Sequence, residues 1–235
     1  PAFRMRSADL ARLMEVTWPP AQSWREGPFT LRDGDGGGKR VSAASCDGDW
    51  ETVDLARLET GMAAPLVLIR PGEERLDAAL ADRGWQLVDP VVAYAAPLSL
   101  LVADLPPLTA FAHWPPLQIA RLIWEEGGIG PARVRVMDRV AGPKTVLLAR
   151  QEDRPAGSAF VACAGEDAML HALEVRPDLR RKGTGVTLIR AAANWAVDQG
   201  AKHLSLVVTQ RNAAARAVYD RLGMAVVGQY HYRMK

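Results

Sequence analysis

Cysteine is scarce in this chain of 235 residues, which contains only Cys46 and Cys163. Each stands alone among small residues, and a metal site would need more ligands at closer spacing. We therefore expect both cysteines to pack structurally and expect no bound metal.

Long apolar stretches and a strong net charge are also absent. The formal net charge is +2, and the cations are scattered apart from one cluster, so neither a nucleic acid nor a membrane is the expected partner. No apolar stretch has the length needed to span a bilayer, and nothing resembles a signal peptide. We expect a reducing, cytoplasmic setting. Because 49% of the residues are hydrophobic, a substantial core can form.

The cation cluster occupies residues 176–185, between a predicted strand and a predicted helix. The strand is the short apolar run 169–175, and the helix carries apolar residues on one face from residue 186 until Gly200 ends it. Free backbone N–H groups and the helix dipole favour an anion there, and the two glycines of the turn permit close approach. The sequence therefore predicts a phosphate or pyrophosphate site.

Two sequence patterns specify this site further. The turn fits neither the nucleotide P-loop nor the dinucleotide Gly-x-Gly-x-x-Gly pattern, but it contains Arg180-x-x-Gly183-x-Gly185. Downstream, a β-rich run at 204–209 precedes an alanine-rich helix with the pattern Asn-x-x-Ala-x-x-x-Tyr-x-x-x-Gly. The asparagine of this second pattern can open the helix, and the glycine can close it. Its four residues are Asn212, Ala215, Tyr219 and Gly223.

Together, the two patterns resemble the GNAT N-acetyltransferase superfamily over roughly residues 111–235. The resemblance implies an α/β (α+β) fold, with a mixed, mostly antiparallel sheet flanked by helices. The element order matches: a strand, two helices, three strands, a helix, a strand, a helix and two final strands. The first part of this order is predicted at 111–114, 117–126, 131–140, 145–149, 158–162 and 169–175.

An internal duplication is also predicted. A strand at 67–70, a helix at 73–83 and a strand pair at 85–95, broken at Asp89-Pro90, coincide with the C-terminal elements when Gly84 is placed on Gly223. We therefore predict two GNAT-like units in tandem, a degenerate unit at 1–98 and a catalytic unit at 110–235, joined by a linker at 99–109. The alternative is a single domain preceded by a long α/β segment.

The first unit lacks the functional residues of the second. The same alignment, an offset of 139 residues, places Leu80 at the position of Tyr219 and Glu73 at the position of Asn212. Acidic residues also precede a helix predicted at 52–62. Because acidic side chains would repel a pyrophosphate, this unit is predicted not to bind CoA. Its other predicted elements are a helix at 7–16 and strands at 29–32 and 39–45, with the glycine-rich 34–38 as a flexible hairpin loop.

The resemblance implies acetyl-CoA as co-substrate and assigns the site residues. The strand edge at Leu173, Glu174 and Val175 would bind the pantetheine amides, and Asn212 and Tyr219 would line the thioester end. The turn would bind the pyrophosphate through Arg180, Arg181, Lys182, Gly183, Thr184 and Gly185, although such a cation run can also be a solvated helix entrance. Tyr219 is the predicted general acid, with a packed core aromatic as the alternative.

The general base is less sharply indicated. Some GNAT enzymes carry a glutamate on the fifth strand, but that position is Val207 here. Glu174 and His171 remain on the fourth strand, and because strand side chains alternate, we expect them on opposite faces. Glu174, acting through a water, is the first choice, and His171 has the alternative of being a hydrogen-bonded core histidine.

The implied function is direct transfer of an acetyl group to a primary amine of a small molecule or peptide. The ring-rich Tyr230-His231-Tyr232-Arg233 lies either near the acceptor cleft or on an exposed β face. The sequence is compatible with a homodimer. The alternative function is a non-catalytic acyl-CoA-binding or interaction module built on the same fold.

Overall fold

The computed structural model describes residues 5–235, without the side chains of residues 7 and 8. The helices within this range are α1 (Ser7–Thr17), α2 (Lys39–Ser42), α3 (Thr52–Gly61), α4 (Glu74–Asp82), α5 (Gln118–Glu126), α6 (Pro131–Arg139), α7 (Thr184–Asp198) and α8 (Ala213–Arg221). The strands are β1 (Gln22–Glu26), β2 (Phe29–Asp33), β3 (Ser45–Cys46), β4 (Leu66–Ile69), β5 (Gln86–Pro97), β6 (Ala110–His113), β7 (Lys144–Gln151), β8 (Arg154–Ala164), β9 (Asp167–Val175), β10 (His203–Thr209) and β11 (Ala225–Met234).

Eight of these strands form one mixed sheet in the order β4-β11-β5-β10-β9-β8-β7-β6. Every neighbouring pair is antiparallel except β9 and β10, which run parallel. Strands β1, β2 and β3 form a separate small sheet. The predicted mixed, mostly antiparallel sheet flanked by helices is therefore confirmed.

The two halves of the chain exchange strands at one end of the large sheet. Each half contributes a strand–helix–strand unit, β4-α4-β5 or β10-α8-β11. Strand β11 lies between β4 and β5, and β5 lies between β10 and β11. Ala93 of β5, for example, has Val207 on one side and Gly228 on the other. Each half therefore supplies the strand that separates the two strands of the other half.

The internal duplication is confirmed for the strand–helix–strand units. Helix α4 covers 74–82 and α8 covers 213–221, so both ends differ by the predicted 139 residues (213 − 74 and 221 − 82). The strands after them begin at 86 and 225, which is again a difference of 139. The predicted boundaries at 98 and 110 stay a prediction, because the two halves share one sheet.

Three strand predictions are wrong in detail. Lys39–Ser42 forms the helical turn α2 where a strand was predicted at 39–45. The predicted strand pair at 85–95 is the single strand β5, in which Asp89 has a positive φ of 44° and the register against β11 shifts between Val88 and Val91. After α8, one strand is found where two were predicted, because β5 of the first half takes the place beside β10.

The glycine-rich segment 34–38 is closely packed, and its prediction as a flexible loop is wrong. A Cβ on Gly37 would lie 2.6 Å from Cγ2 of Val136 on α6 and 2.8 Å from the carbonyl oxygen of Gly34. Arg135, also on α6, donates through Nε to Oδ2 of Asp35 at 2.6 Å. The absence of side chains thus lets this segment of the first half lie directly on a helix of the second half.

Helices cover both faces of the sheet around the second half. Helix α7 packs on one face over apolar residues such as Leu170 and Val161. On the other face, Trp18, α5 and α6 cover a cluster that contains Phe160. Among the described residues, none of the helices has both the length and the apolar character needed to cross a membrane.

We expect the exchanged strands to keep the two halves together after the connection between them is cut. A protease site inserted between residues 103 and 109 should be cleaved without loss of the native circular dichroism spectrum, and both pieces should co-elute in gel filtration. Residues 110–235 expressed alone should show no cooperative urea transition, because β10 and β11 then lack the strand between them.

Dissociation of the cleaved pieces into two separately folded units would contradict this expectation. The uncleaved insertion variant is the control for any effect of the inserted site itself.

Candidate active site

A cleft opens where the parallel strands β9 and β10 separate. The strands pair only from Asp167–His203 to Met169–Ser205, and beyond that point they diverge. The resulting cavity has a volume of about 500 Å³. Leu173 lines it from β9 and Val208 from β10. The edge of β9 from residue 170 onward is thus left without a partner strand on this side, which exposes backbone groups to the cleft.

A β-bulge shapes this edge of β9. Phe160 of β8 pairs with His171, whereas Ser158 pairs with Glu174, so β9 contains one extra residue between these two pairs. Ala172 adopts a positive φ of 51° there, and its carbonyl oxygen accepts a hydrogen bond of 2.8 Å from the indole of Trp124. The bulge bends the strand and turns its backbone away from the regular ladder.

The bulge places His171 and Glu174 on the same face, so the prediction of opposite faces is wrong. Their partners Phe160 and Ser158 are two residues apart on β8 and share a face, and antiparallel partners project to the same side. The carboxyl group of Glu174 packs against Gly127, where an added Cβ would lie 2.6 Å from Oε2. Gly127 therefore provides the space that Glu174 occupies.

His171 is buried in a network whose other members come from the first half of the chain. Oγ1 of Thr17 lies 2.8 Å from Nε2, and Nη1 of Arg40 lies 2.8 Å from Nδ1. The Thr17 hydroxyl donates its proton to the carbonyl oxygen of Leu13 at 2.7 Å. It must therefore accept from Nε2–H, which leaves Nδ1 as the acceptor for Arg40. The ring also stacks on Trp18 with centroids 4.9 Å apart.

This environment keeps His171 neutral. Complete burial, together with the neighbouring Arg40 guanidinium, lowers the pKa of His171 well below its ordinary value. Both ring nitrogens are engaged in the fixed tautomer. The contacts therefore match a hydrogen-bonded core histidine, which was the second of the two interpretations of this residue.

The predicted pyrophosphate turn has the backbone geometry of an anion site. After a 3₁₀ turn at Pro177–Leu179, Arg181 and Gly183 adopt positive φ values of 60° and 89°. Helix α7 then begins at Thr184 without a side-chain cap, so the N–H groups of its first turn lack intrahelical acceptors. Oγ1 of Thr184 is buried and has no hydrogen-bond partner among the described residues. These donors fit a phosphate group.

Two of the three predicted cations in the turn are paired within the protein. Arg180 donates from Nε to the carbonyl oxygen of Val175 at 2.9 Å, and its Nη2 lies 3.0 Å from Oε1 of Glu174. Lys182 forms an ion pair of 2.7 Å with Glu152. Within residues 5–235, no ion pair involves Arg181. Arg180 thus covers the carbonyl group that the predicted pantetheine contact would use.

Asn212 and Tyr219 both line the cleft, at opposite ends of the same helix. Asn212 is exposed and caps α8, because its Oδ1 accepts from the N–H of Ala215 at 3.1 Å. Tyr219 is buried, with its ring centroid 5.3 Å from that of Tyr94. Burial, followed by the nearby Tyr94, raises the pKa of Tyr219 to about 12, so the phenol keeps its proton at neutral pH.

The corresponding helix start of the first half is occupied by its own carboxylates. Glu51 and Asp54 form a capping box at the start of α3, where each side chain accepts from the backbone N–H of the other. Asp47 lies 3.4 Å from Arg70 and accepts from the hydroxyl of Thr30. These contacts support the prediction that the first unit does not bind CoA, which stays a prediction.

Several cleft residues of the first half were missed by the sequence analysis. Trp18, Lys39, Arg40 and Asp89 line the cleft together with the predicted residues of β9 and α8. The available signal was weak: Lys39 and Arg40 directly follow the glycine-rich segment, and Trp18 precedes two prolines. Nothing in that pattern indicates a contact with β9.

The comparisons with known proteins agree with this geometry. Residues 109–224 match the model of the acetyltransferase (GNAT) family. YobR of Bacillus subtilis (strain 168), described as an uncharacterized N-acetyltransferase, is 24% identical over 242 residues, which cover 96% of this chain and 97% of YobR.

Two solved structures share the fold along nearly the whole chain. A GCN5-related N-acetyltransferase from Kribbella flavida superposes with a TM-score of 0.71 at 17% identity, covering 100% of this chain and 96% of that one. A tandem GNAT protein from the clavulanic acid biosynthesis pathway has a TM-score of 0.59 at 14% identity, with 99% and 90% covered. Within residues 5–235, no three side chains of the metal-binding types come together, and the expectation of no metal stays a prediction.

We expect His171 to make the protein less stable as the pH falls below about 6.5, its ordinary pKa. The unfolded chain then takes up a proton that the folded chain cannot, so the free energy of unfolding should fall by at most about 1.4 kcal/mol per pH unit for this group. Urea unfolding between pH 5 and pH 7.5 measures this slope, and His171→Asn should reduce it. Equal slopes for both proteins would mean that folded His171 titrates normally.

Proposed function

Because this chain belongs to the GNAT family of acetyltransferases, we propose that it transfers an acetyl group from acetyl-CoA to a primary amine. The amine attacks the thioester directly while both substrates are bound, without a covalent enzyme intermediate. The observation that carries the proposal is the cleft that opens between β9 and β10, which Leu173, Asn212 and Tyr219 line together.

The open edge of β9 is suited to an extended ligand with amide groups. Leu173, Glu174 and Val175 would bind the pantetheine arm through backbone hydrogen bonds, as an added strand would. Arg180 must first release the carbonyl oxygen of Val175. Its guanidinium is then available for a phosphate, so one movement of this side chain opens both contacts.

The turn before α7 would bind the pyrophosphate. The N–H groups from Arg181 to Gly185 and the unpartnered hydroxyl of Thr184 supply donors. No atom lies within 4 Å of a Cβ added to Gly183 or Gly185, so the space beside this backbone is open. Arg181 and Lys182 add positive charge at the entrance of the turn.

Tyr219 is the proposed general acid. When the C–S bond breaks, the leaving thiolate must gain a proton, and the buried phenol carries one because its pKa is raised to about 12. A thiolate formed in the same buried cleft is destabilised by the same loss of water. Its affinity for a proton therefore rises together with that of the phenolate, which favours transfer from Tyr219. Asn212 would border the thioester end from the start of α8.

Glu174 is the proposed general base. The geometry favours it over His171, because both ring nitrogens of His171 are already engaged and burial disfavours its protonation. Glu174 lies on the face of β9 covered by α5, with its side chain partly exposed and paired with Arg180. A water between its carboxylate and the amine would take the proton that the attacking nitrogen must lose.

The proposal is tested by measuring CoA thiol release from acetyl-CoA with a panel of small amines, amino acids, polyamines, aminoglycosides and peptide N-termini. We expect release with at least one acceptor, and Tyr219→Phe should lower kcat about 10²-fold with an unchanged acetyl-CoA affinity. Tyr94→Phe is the matched control, because its ring adjoins Tyr219 but does not line the cleft.

Tight acetyl-CoA binding without release for any acceptor would instead support a non-catalytic binding module. Unchanged turnover of Tyr219→Phe would remove the acid role.

For the base, we expect Glu174→Gln to abolish the rise of kcat/KM with pH on the acidic side of the profile. Only a carboxylate can accept the proton of the amine, and the amide of the variant cannot. The same acidic limb in both enzymes would exclude Glu174 as the base. Circular dichroism and acetyl-CoA affinity at each pH serve as controls for folding and cofactor binding.

A further inference from the structure

A second cavity of about 330 Å³ adjoins the cleft and lies between the two halves of the chain. Helix α1 and strands β2 and β4 of the first half line it together with β11 of the second half. It shares with the cleft four side chains, which mark the place where the two spaces meet. These are Trp18, Arg40, Tyr230 and Tyr232.

The charges that line this cavity are unbalanced. Its lining contains four arginines and two carboxylates, a surplus of two positive charges (4 − 2). Arg32 pairs with Glu15 at 2.9 Å, and Arg70 lies 3.4 Å from Asp47. The two that remain are Arg12, which is exposed, and Arg40, which is partly buried where the cavity meets the cleft.

Neutral groups surround Arg40. Its Nη1 donates to Nδ1 of the neutral His171 at 2.8 Å, and its guanidinium lies 5.6 Å from the ring centroid of Trp18. The side chain of Tyr230 also lies near Arg40, since both line the two spaces. The neighbouring Asp89 is paired with Lys39 at 2.8 Å. Within residues 5–235, no carboxylate forms an ion pair with Arg40, although a partly buried charge is normally compensated.

We propose that this cavity binds the acceptor, and that the acceptor is an amine that also carries a carboxylate, which Arg40 binds. The inference rests on the proposed acetyl transfer and names its substrate class. A guanidinium held in place by His171 and Trp18 can form two parallel hydrogen bonds with a carboxylate. The surplus of positive charge disfavours polyamines and other polycationic acceptors.

The carboxylate orients the substrate and takes no part in the reaction. Arg40 lines both spaces, so an acceptor bound to it in the cavity can direct its amine into the cleft. There the amine nitrogen forms a bond to the acetyl carbon, and the C–S bond breaks. One proton leaves the nitrogen and one reaches the sulfur, which gives an N-acetylated acid and free CoA.

The test compares amino acids with the amines that differ from them only by the carboxylate. Phenylalanine with phenethylamine and lysine with cadaverine are two such pairs. We expect kcat/KM for acetylation to be at least about tenfold higher for the acid of an accepted pair. Arg40→Gln should remove that difference mainly by raising KM for the acid, and Arg40→Lys should restore part of it.

Arg57→Gln is the matched control, since Arg57 is an exposed arginine on α3 that lines neither space. Acetyl-CoA affinity and urea unfolding are measured for every variant. Three results would overturn the proposal. One is a higher kcat/KM for the amine than for the acid. The others are an Arg40→Gln variant that loses kcat/KM equally for both, or one that loses only acetyl-CoA affinity.

Failure of acetyl transfer itself would give a different result. If no amine releases thiol, calorimetry with the CoA-loaded protein compares the affinities for phenylalanine and lysine with those for phenethylamine and cadaverine. Binding that depends on the carboxylate and on Arg40 would support the acceptor assignment even without turnover. Absence of such binding would overturn it.

Discussion

The exchange of strands between the two halves is the constraint on which the rest of the structure depends. Because β5 lies beside β10, the second half has a partner on the side of β10 that faces away from β9. Strand β10 can then diverge from β9 after three residue pairs without losing its place in the sheet. The first half thus supports one wall of the cleft, and it supplies Arg40, the residue proposed to bind the acceptor.

Two local features of β9 shape the proposed active site. The bulge at Ala172 turns the strand edge toward the cleft, and the indole of Trp124 satisfies the carbonyl group that the bulge removes from the ladder, which is worth about 1 kcal/mol. Gly127 provides the space beside Glu174. The proposed catalytic face is thereby assembled from an irregular strand, and α5 pairs the carbonyl group that the bulge frees.

How far the sequence predicts this structure depends on the range of each interaction. The turn before α7 and the cap of α8 were predictable, because the conformational preference of glycine and the capping preference of asparagine depend only on residues nearby in the sequence. The strand exchange was not, because nothing in the sequences of β5 and β11 indicates which half of the chain each strand pairs with. Alanine at position 172 does not indicate a positive φ. The contact of Arg40 with His171 joins residues 131 positions apart, so no local pattern predicts it.

The shared sheet also sets an order of events during synthesis. Strands β4 and β5 are made early, but they flank a vacant position that only β11, beginning at residue 225, can occupy. Nearly the whole chain must therefore leave the ribosome before this sheet closes. Until then the nascent first half exposes unpaired apolar strand edges, and it should be a substrate for chaperones that bind such segments.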